Sequence, residues 1–582
     1  MLPQSHSGGK LPWPHEGAVP LRDPDEVMQL ERLGSLHATR ISFIRTVMRK
    51  MMREQWRIER VRFDIDREGY GTAIYRVTTP ESSYDFVLFS QYLDPSQRSD
   101  RVIANAWDCA FGLCLGEVDE ERLEALRYNI PRQEAGRCDP SVLVLSRANR
   151  SVRNFDAIVD ALAQGRQPDP DWIAKVGYLY RTTAVYGNGK FGIADYPKIR
   201  DWEDFGLPFS AQMFTVYLLR HFSIEQVEHI AACRAPDTAV PLDDSLRRYL
   251  GIGNSTGLGM APFLLSHPML INQWLLMRET ALARCLAQPG DGERSDQLQR
   301  LIDRAAQHTR ETHLDDERQA RINATMIEEL CAAHGWLGDA DSADAALWRK
   351  LTEHARAHWC LETQEMLHAL IIELYPDEVD ELELYMGAME QYDLIPDMTL
   401  DKLLEQIRTH YDWALRFDFA QPDSQYWFWY RSVEKEEPRL GVRAEEPGAD
   451  REMPLDIARQ VRRCHDRLMD HRDAHGGRVA VVEFLLENPD LKAIIRRIQS
   501  MAQTRYGEIR ANLLDRDMLP MHLLRCKLSF FGASKFDPRS DRWVRITLFQ
   551  GAPLVEDIEV EEGGGEFADD WFMPVKPEVS GS

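Results

Sequence analysis

The sequence predicts an α+β protein, predominantly α-helical, in which a central helical bundle is flanked by N-terminal and C-terminal regions carrying small antiparallel sheets. Three observations predict it. Strand-like runs gather early, between residues 60 and 93, and again late, between 523 and 551. Between them, from about 206 to 420, apolar residues recur at helical spacing with short connections. And 582 residues that are 44% hydrophobic are enough to bury several cores.

Residues 1–25, rich in Pro, Gly and His without a period, read as a flexible arm. Residues 26–205 read as an α+β domain. It opens with a helical stretch whose Arg40, Arg45, Arg49, Lys50, Arg53 and Arg57 make a basic surface, read as solvated or paired within the protein. Next come "RVRFDID", "TAIYRVTT" and "SYDFVLFSQYL" as strands, the first two joined by the hairpin signal "REGYG". "DRVIANAWDCAFGLCLG" reads as helical, and "VLVLS" (142–146) as a further strand. The glycines of "DREGYGTAIY" do not make a phosphate-covering loop, because the following strands offer Arg76 and Gln91 where a lysine is needed.

Residues 206–420 read as the bundle. "SIEQVEHIAAC" carries a capping box, Ser223 with Gln226. "PLDDSLRRYLG" is a short helix, Pro268 opens another, and Gly335 and Pro376 read as stops. Residues 421–560 read as a second α+β region, with "LLRCKLSFFGASKF" and "DRWVRITLFQG" as paired strands. Residues 561–582 read as an acidic, glycine-rich tail.

Charge and cysteines narrow the function. Acidic residues outnumber basic ones 94 to 70, a net charge of −24. Such a surface repels phosphate backbones and anionic lipid, so neither nucleic acid nor membrane is expected as a partner. Nine scattered cysteines without a C-x-x-C fit reduced thiols in a cytoplasm. The N-terminus lacks the apolar core of a signal peptide, and no run approaches a membrane span. A homo-oligomer is left open.

The stretch with the most unusual chemistry is "GIGNSTGLGMAP", residues 251–262. Gly251, Gly253, Gly257 and Gly259 tolerate positive φ, and Asn254 does so more readily than most residues. Read as a loop, the segment turns its backbone N–H groups inward as an anion nest, with Ser255 and Thr256 as hydroxyl donors. It lacks the lysine of a P-loop and the preceding strand of a dinucleotide fingerprint. The plainer reading is a close crossing of elements that only glycine permits.

"TTAVYGNGKFGIADY" has a similar make-up. Gly187, Asn188, Gly189 and Gly192 surround Lys190, which is a candidate anion partner or base, with Tyr186 a candidate proton donor. A hairpin turn with an exposed lysine is the alternative. His267, just after the first stretch, is a candidate acid/base, or simply a cap or core residue. In "QYWFWYRSVEKEEPR" five consecutive aromatics precede Arg431, a candidate carboxylate clamp beside an aromatic wall, or else part of a buried strand with salt bridges.

These residues together predict a soluble enzyme that binds a small anionic metabolite, carboxylate or phosphate. Lys190, His267 and Tyr186 would be catalytic. Gly251, Gly253, Asn254, Ser255, Thr256, Gly257, Gly259, Asn188 and Arg431 would bind the ligand. With no G-x-S-x-G elbow, acid/base chemistry of lyase, isomerase or transferase type leads over a covalent nucleophile. No cofactor is specified. Two alternatives stand beside it. Glu362, Glu365 and His368 hold an E-x-x-H spacing that, on a bundle helix, suits a di-iron or manganese oxidase. A non-catalytic assembly or regulatory protein also fits the long helical surface and acidic tail.

Overall fold

The computed structural model describes residues 19–97, 107–129, 140–182, 184, 202–207, 209–257, 268–312, 314, 316–386, 394–420, 429–432, 438–440, 449–451, 455–509, 520–540, 543–558 and 571–578. Twelve strands lie within them. In chain order these are β1 (Arg57–Ile65), β2 (Gly71–Thr78), β3 (Ser83–Ser90), β4 (Cys109–Leu115), β5 (Val142–Arg150), β6 (Tyr178–Thr182), β7 (Gly251–Gly257), β8 (Trp429–Ser432), β9 (Pro438–Leu440), β10 (Ala449–Arg451), β11 (Lys535–Ser540) and β12 (Trp543–Leu548).

Nine of these strands form one mixed sheet in the order β1-β2-β3-β4-β5-β6-β7-β12-β11. This corrects the expected fold class. Instead of a central bundle between two small sheets, a single large sheet runs through the N-terminal, middle and C-terminal parts of the chain. The strand responsible is β7, read above as a loop. It pairs parallel with β6 and antiparallel with β12, and so joins the N-terminal meander to the C-terminal hairpin.

The hairpins expected from "REGYG" and "PESS" are present as β1–β2 and β2–β3. Two other expectations fail for a shared reason. "CAFGLCL" is a strand rather than a helix, because a short run buried on both faces has no period to distinguish the two. "LLRCKLSFF" is helical, because its alternating Arg525, Lys527 and Ser529 are themselves buried, so alternation there does not mark one wet face.

The helices that matter below are α1 (Leu30–Ser35), α2 (Phe43–Arg53), α3 (Phe155–Ala163), α4 (Ser210–Arg234), α5 (Pro268–Ala287), α6 (Gly292–Glu311), α7 (Glu317–Asp339), α8 (Leu347–His358), α9 (Leu361–Glu373), α10 (Leu400–His410), α11 (Leu455–His475), α12 (Lys492–Met501) and α13 (Pro520–Phe531). Pro268 opens α5 as expected, and side chains of Asp291, Asp316 and Thr399 cap α6, α7 and α10. Ser223 is no cap: α4 starts at Ser210, and the Ser223 hydroxyl bonds back to the Arg220 carbonyl at 2.8 Å. Gly335 lies inside α7 and stops nothing.

One hydrophobic core extends from Val27 to Phe572 and takes in α4, α5, α9 and one face of β2–β4, whose other face holds a separate cluster of Ile74, Val87, Phe89, Ala110 and Leu126. A second, built from α10, α11, α12 and the helix Val481–Glu487, holds Leu403, Ile407, Val461, Leu468, Phe484 and Ile498. β8, β9 and β10 form a separate three-stranded sheet. No helix among the described residues is long and apolar enough to cross a membrane, and the eight described cysteines are free thiols.

The basic surface of α2 is paired within the protein. Arg45 grips Glu373 through contacts of 2.9 and 2.8 Å, Arg40 holds Asp380 at 2.9 and 2.8 Å, and Arg49 and Arg53 both reach Glu383 at 3.1 Å. These pairs fasten the N-terminal helix to α9 and to the segment that follows it.

Candidate functional site

β6 and β7 are the parallel neighbours in a nine-stranded sheet whose other described pairings are antiparallel. Parallel strands present their carboxyl ends at the same end of a sheet. β6 ends one residue past Arg181, the residue opposite Gly253, whereas β7 runs on four residues past Gly253 to Gly257; in sequence, 183–200 follows the first strand and 258–267 the second. Tyr186, Asn188 and Lys190 belong to the first, Gly259 and His267 to the second. All five lie outside the described residues.

Gly251 to Gly257 is extended strand rather than loop. Its backbone faces β12 from Ile252 to Gly257 and β6 from Gly251 to Gly253, so these peptides lie in the ladders of the sheet and do not form the expected inward-turned nest. The glycines are explained by close approach. A Cβ on Gly253 would stand 2.5 Å from the Tyr178 ring, and one on Gly251 would stand 2.4 Å from the Leu548 carbonyl oxygen. Asn254 is fully buried beside them, and neither its amide oxygen nor its amide nitrogen has a hydrogen-bond partner among the described residues. Such an amide is costly to bury alone. Ser255, Thr256 and Gly257 complete the strand.

Register places charged side chains on one face here. Arg181 pairs with Gly253, Gly253 with Thr547, Thr547 with Lys535, and Asp537 with Arg545. Residues directly opposite one another, and those two apart, share a face. Arg181, Arg545, Lys535 and Asp537 thus line one face across four adjacent strands, all of them buried. Lys535 donates to the Ala174 carbonyl at 2.8 Å. The opposite face carries Tyr180, whose hydroxyl donates to Gln226 of α4 at 2.9 Å, and Arg150, which lies 4.3 Å over the Phe155 ring of α3.

The sequence reading missed Arg181, Arg545, Lys535, Asp537 and Tyr178. "GYLYRTT" does carry strand composition, but only the pairing with β7 brings its arginine beside the glycines. Arg431 lies in β8, in the sheet that shares no strand pairing with β6 or β7.

Glu365 and His368 lie at the centre of a different arrangement. Glu365 accepts from Arg22 at 2.6 Å, from Arg32 at 2.8 Å and from Arg278 at 2.8 Å, and the His368 Nδ1 stands 3.5 Å away. Arg22 also grips Glu279 with two contacts of 2.7 Å. Burial opposes ionisation of Glu365, but Arg22 and Arg278 outweigh it and hold the carboxyl well below the usual carboxylate range. Burial likewise keeps His368 neutral, below the usual histidine range, against the pull of Glu365. Three guanidiniums on one carboxylate make a structural knot that joins the N-terminal strap, α1, α5 and α9, and they set up a positive field where a metal ligand would need a negative one. Glu362 is half-buried one turn earlier. Among the described residues no group of three His, Cys, Asp or Glu side chains is placed to hold a metal ion.

No protein-family model, no curated protein and no solved structure matches the chain, so the site is read from its own geometry.

Proposed function

We propose that the chain binds a small anionic metabolite, a carboxylate or a phosphate, at the carboxyl ends of β6 and β7. We further propose that it acts on this ligand by acid/base chemistry of lyase, isomerase or transferase type. The observation that carries this reading is the Arg181–Gly253 pairing in parallel strands. Ligands of open sheets bind outside the carboxyl ends of parallel strands, where the strand order switches. Here β6 belongs to the N-terminal run, and β7 is followed in the sheet by β12.

The roles follow from chemistry. Arg181 and Arg545 supply positive charge on the shared face. Lys190 leaves from the end of β6 and neutralises the anion or, once desolvated, takes a proton. Tyr186 and His267 are the remaining groups for proton transfer, one on each departing segment. Ligand binding to the native state alone raises the melting temperature. The full chain is therefore screened by thermal shift against phosphate, succinate and related small anions. A rise that Lys190→Ala abolishes supports the reading. An unchanged melting temperature across the series removes it.

A further inference from the structure

A second place in the molecule is built for a ligand. On the sheet face opposite to Arg181, beyond the edge strand β11, a partly open cavity of about 100 Å³ lies between α6, α7, α13 and the C-terminal segment 571–574. That segment is fastened: Arg304 donates to the Met573 carbonyl at 3.2 Å, and the His308 Nδ1 stands 2.7 Å from the Pro574 carbonyl. A carbonyl only accepts, so the His308 proton is on Nδ1. The imidazole then has an accepting Nε2.

One group at this cavity lacks the ion-pair partner that a buried charge ordinarily has. Arg525 is 9% exposed, and among the described residues no carboxylate stands within ion-pair distance of it. Its contacts are a long 3.5 Å hydrogen bond to Gln319 and the face of Phe536, 5.1 Å away. Gln319 and Phe536 both line the cavity, which locates the guanidinium at its wall. The Trp571 indole N–H and the His37 Nε2 have no partner among the described residues, and both are sealed from water-sized access, so neither opens onto the cavity. Arg45, by contrast, is taken by Glu373.

The rest of the lining is apolar: Met326, Met366, Leu528 and Phe572. Burial keeps both lining histidines neutral. His308 is pushed down to about 4, and His37 is held well below the usual histidine range by burial and the nearby Arg525. The cavity therefore presents one guanidinium, which Glu362 opposes from beyond ion-pair distance, and a greasy wall. A phosphate dianion would demand more charge and more donors than this. The volume is smaller than the roughly 150 Å³ that accommodates benzene in an engineered cavity.

We propose that this cavity is a binding site for a short-chain monocarboxylate of about four to six heavy atoms. The carboxylate sits against Arg525, and the chain lies along Met326, Met366 and Leu528.

The test is isothermal titration of the full-length Lys190→Ala protein, in which the site at β6 and β7 is disabled, with butyrate, its amide and inorganic phosphate. Butyrate binds, and the amide and phosphate bind at least about tenfold more weakly, because each lacks half of the match. Arg525→Gln weakens butyrate about tenfold or more. Arg525→Lys keeps the charge, loses the planar fork and weakens butyrate several-fold, so it decides the matter should Arg525→Gln fail to fold. The absence of butyrate binding, phosphate binding as tight as butyrate, or full affinity in a folded Arg525→Gln or Arg525→Lys protein would overturn the proposal.

Discussion

Arg181 and Gly253 lie directly opposite one another on neighbouring parallel strands, although 72 positions separate their residue numbers. Around that pair the chain closes one sheet from segments that sequence patterning assigns to separate regions.

The glycines of β7 are required by their neighbours. Gly253→Ala drives a methyl into the Tyr178 ring, and Gly251→Ala drives one into the Leu548 carbonyl. The expected loss is about 1–3 kcal/mol. Gly251 is the worse site, because its obstacle is backbone and cannot swing aside. Urea unfolding of the two variants checks the order. Replacing Tyr178 with a smaller residue restores stability to Gly253→Ala and not to Gly251→Ala.

Glu365→Gln leaves Arg22, Arg32 and Arg278 facing a neutral amide in the interior. Breaking a buried pair from one side costs about 3–5 kcal/mol. The unfolding midpoint drops accordingly. In the native protein the depressed Glu365 pKa contributes stability that is complete above about 4.3, the unfolded value. That contribution is lost as pH falls through the folded value. Acid unfolding of Glu365→Gln is correspondingly shallower.

His308 weakens the fold at milder acidity. Its folded pKa of about 4 lies below the unfolded value of about 6.5, so the unfolded chain takes up its proton first. Stability is full above the unfolded value and declines as pH falls toward the folded one. His308→Gln keeps a donor for the Pro574 carbonyl and cannot titrate. Its stability, followed by denaturant titration from pH 7 to pH 4, declines less than that of the parent protein.

Local signals were legible where local physics decides. Pro268 opens a helix, and strand-like runs bounded by turn residues mark β2 and β3. The misses share a cause. In "GIGNSTG" Gly251 and Gly253 answer to atoms from distant segments, Leu548 and Tyr178, so composition suggests freedom where the fold demands closeness. Glu365 and its partner Arg22 are 343 positions apart, which turned a metal-like spacing into an ion-pair knot. The Arg525 cavity takes residues from the N-terminal, middle and C-terminal parts of the chain, and no window of sequence contains it.

The most direct test is a crystal structure of the full chain soaked in selenate, whose anomalous signal marks an oxyanion. The account predicts a peak at the carboxyl ends of β6 and β7, within hydrogen-bond reach of Arg181 or Lys190. Strand ends filled by the protein's own side chains, with no peak beside them, would contradict it.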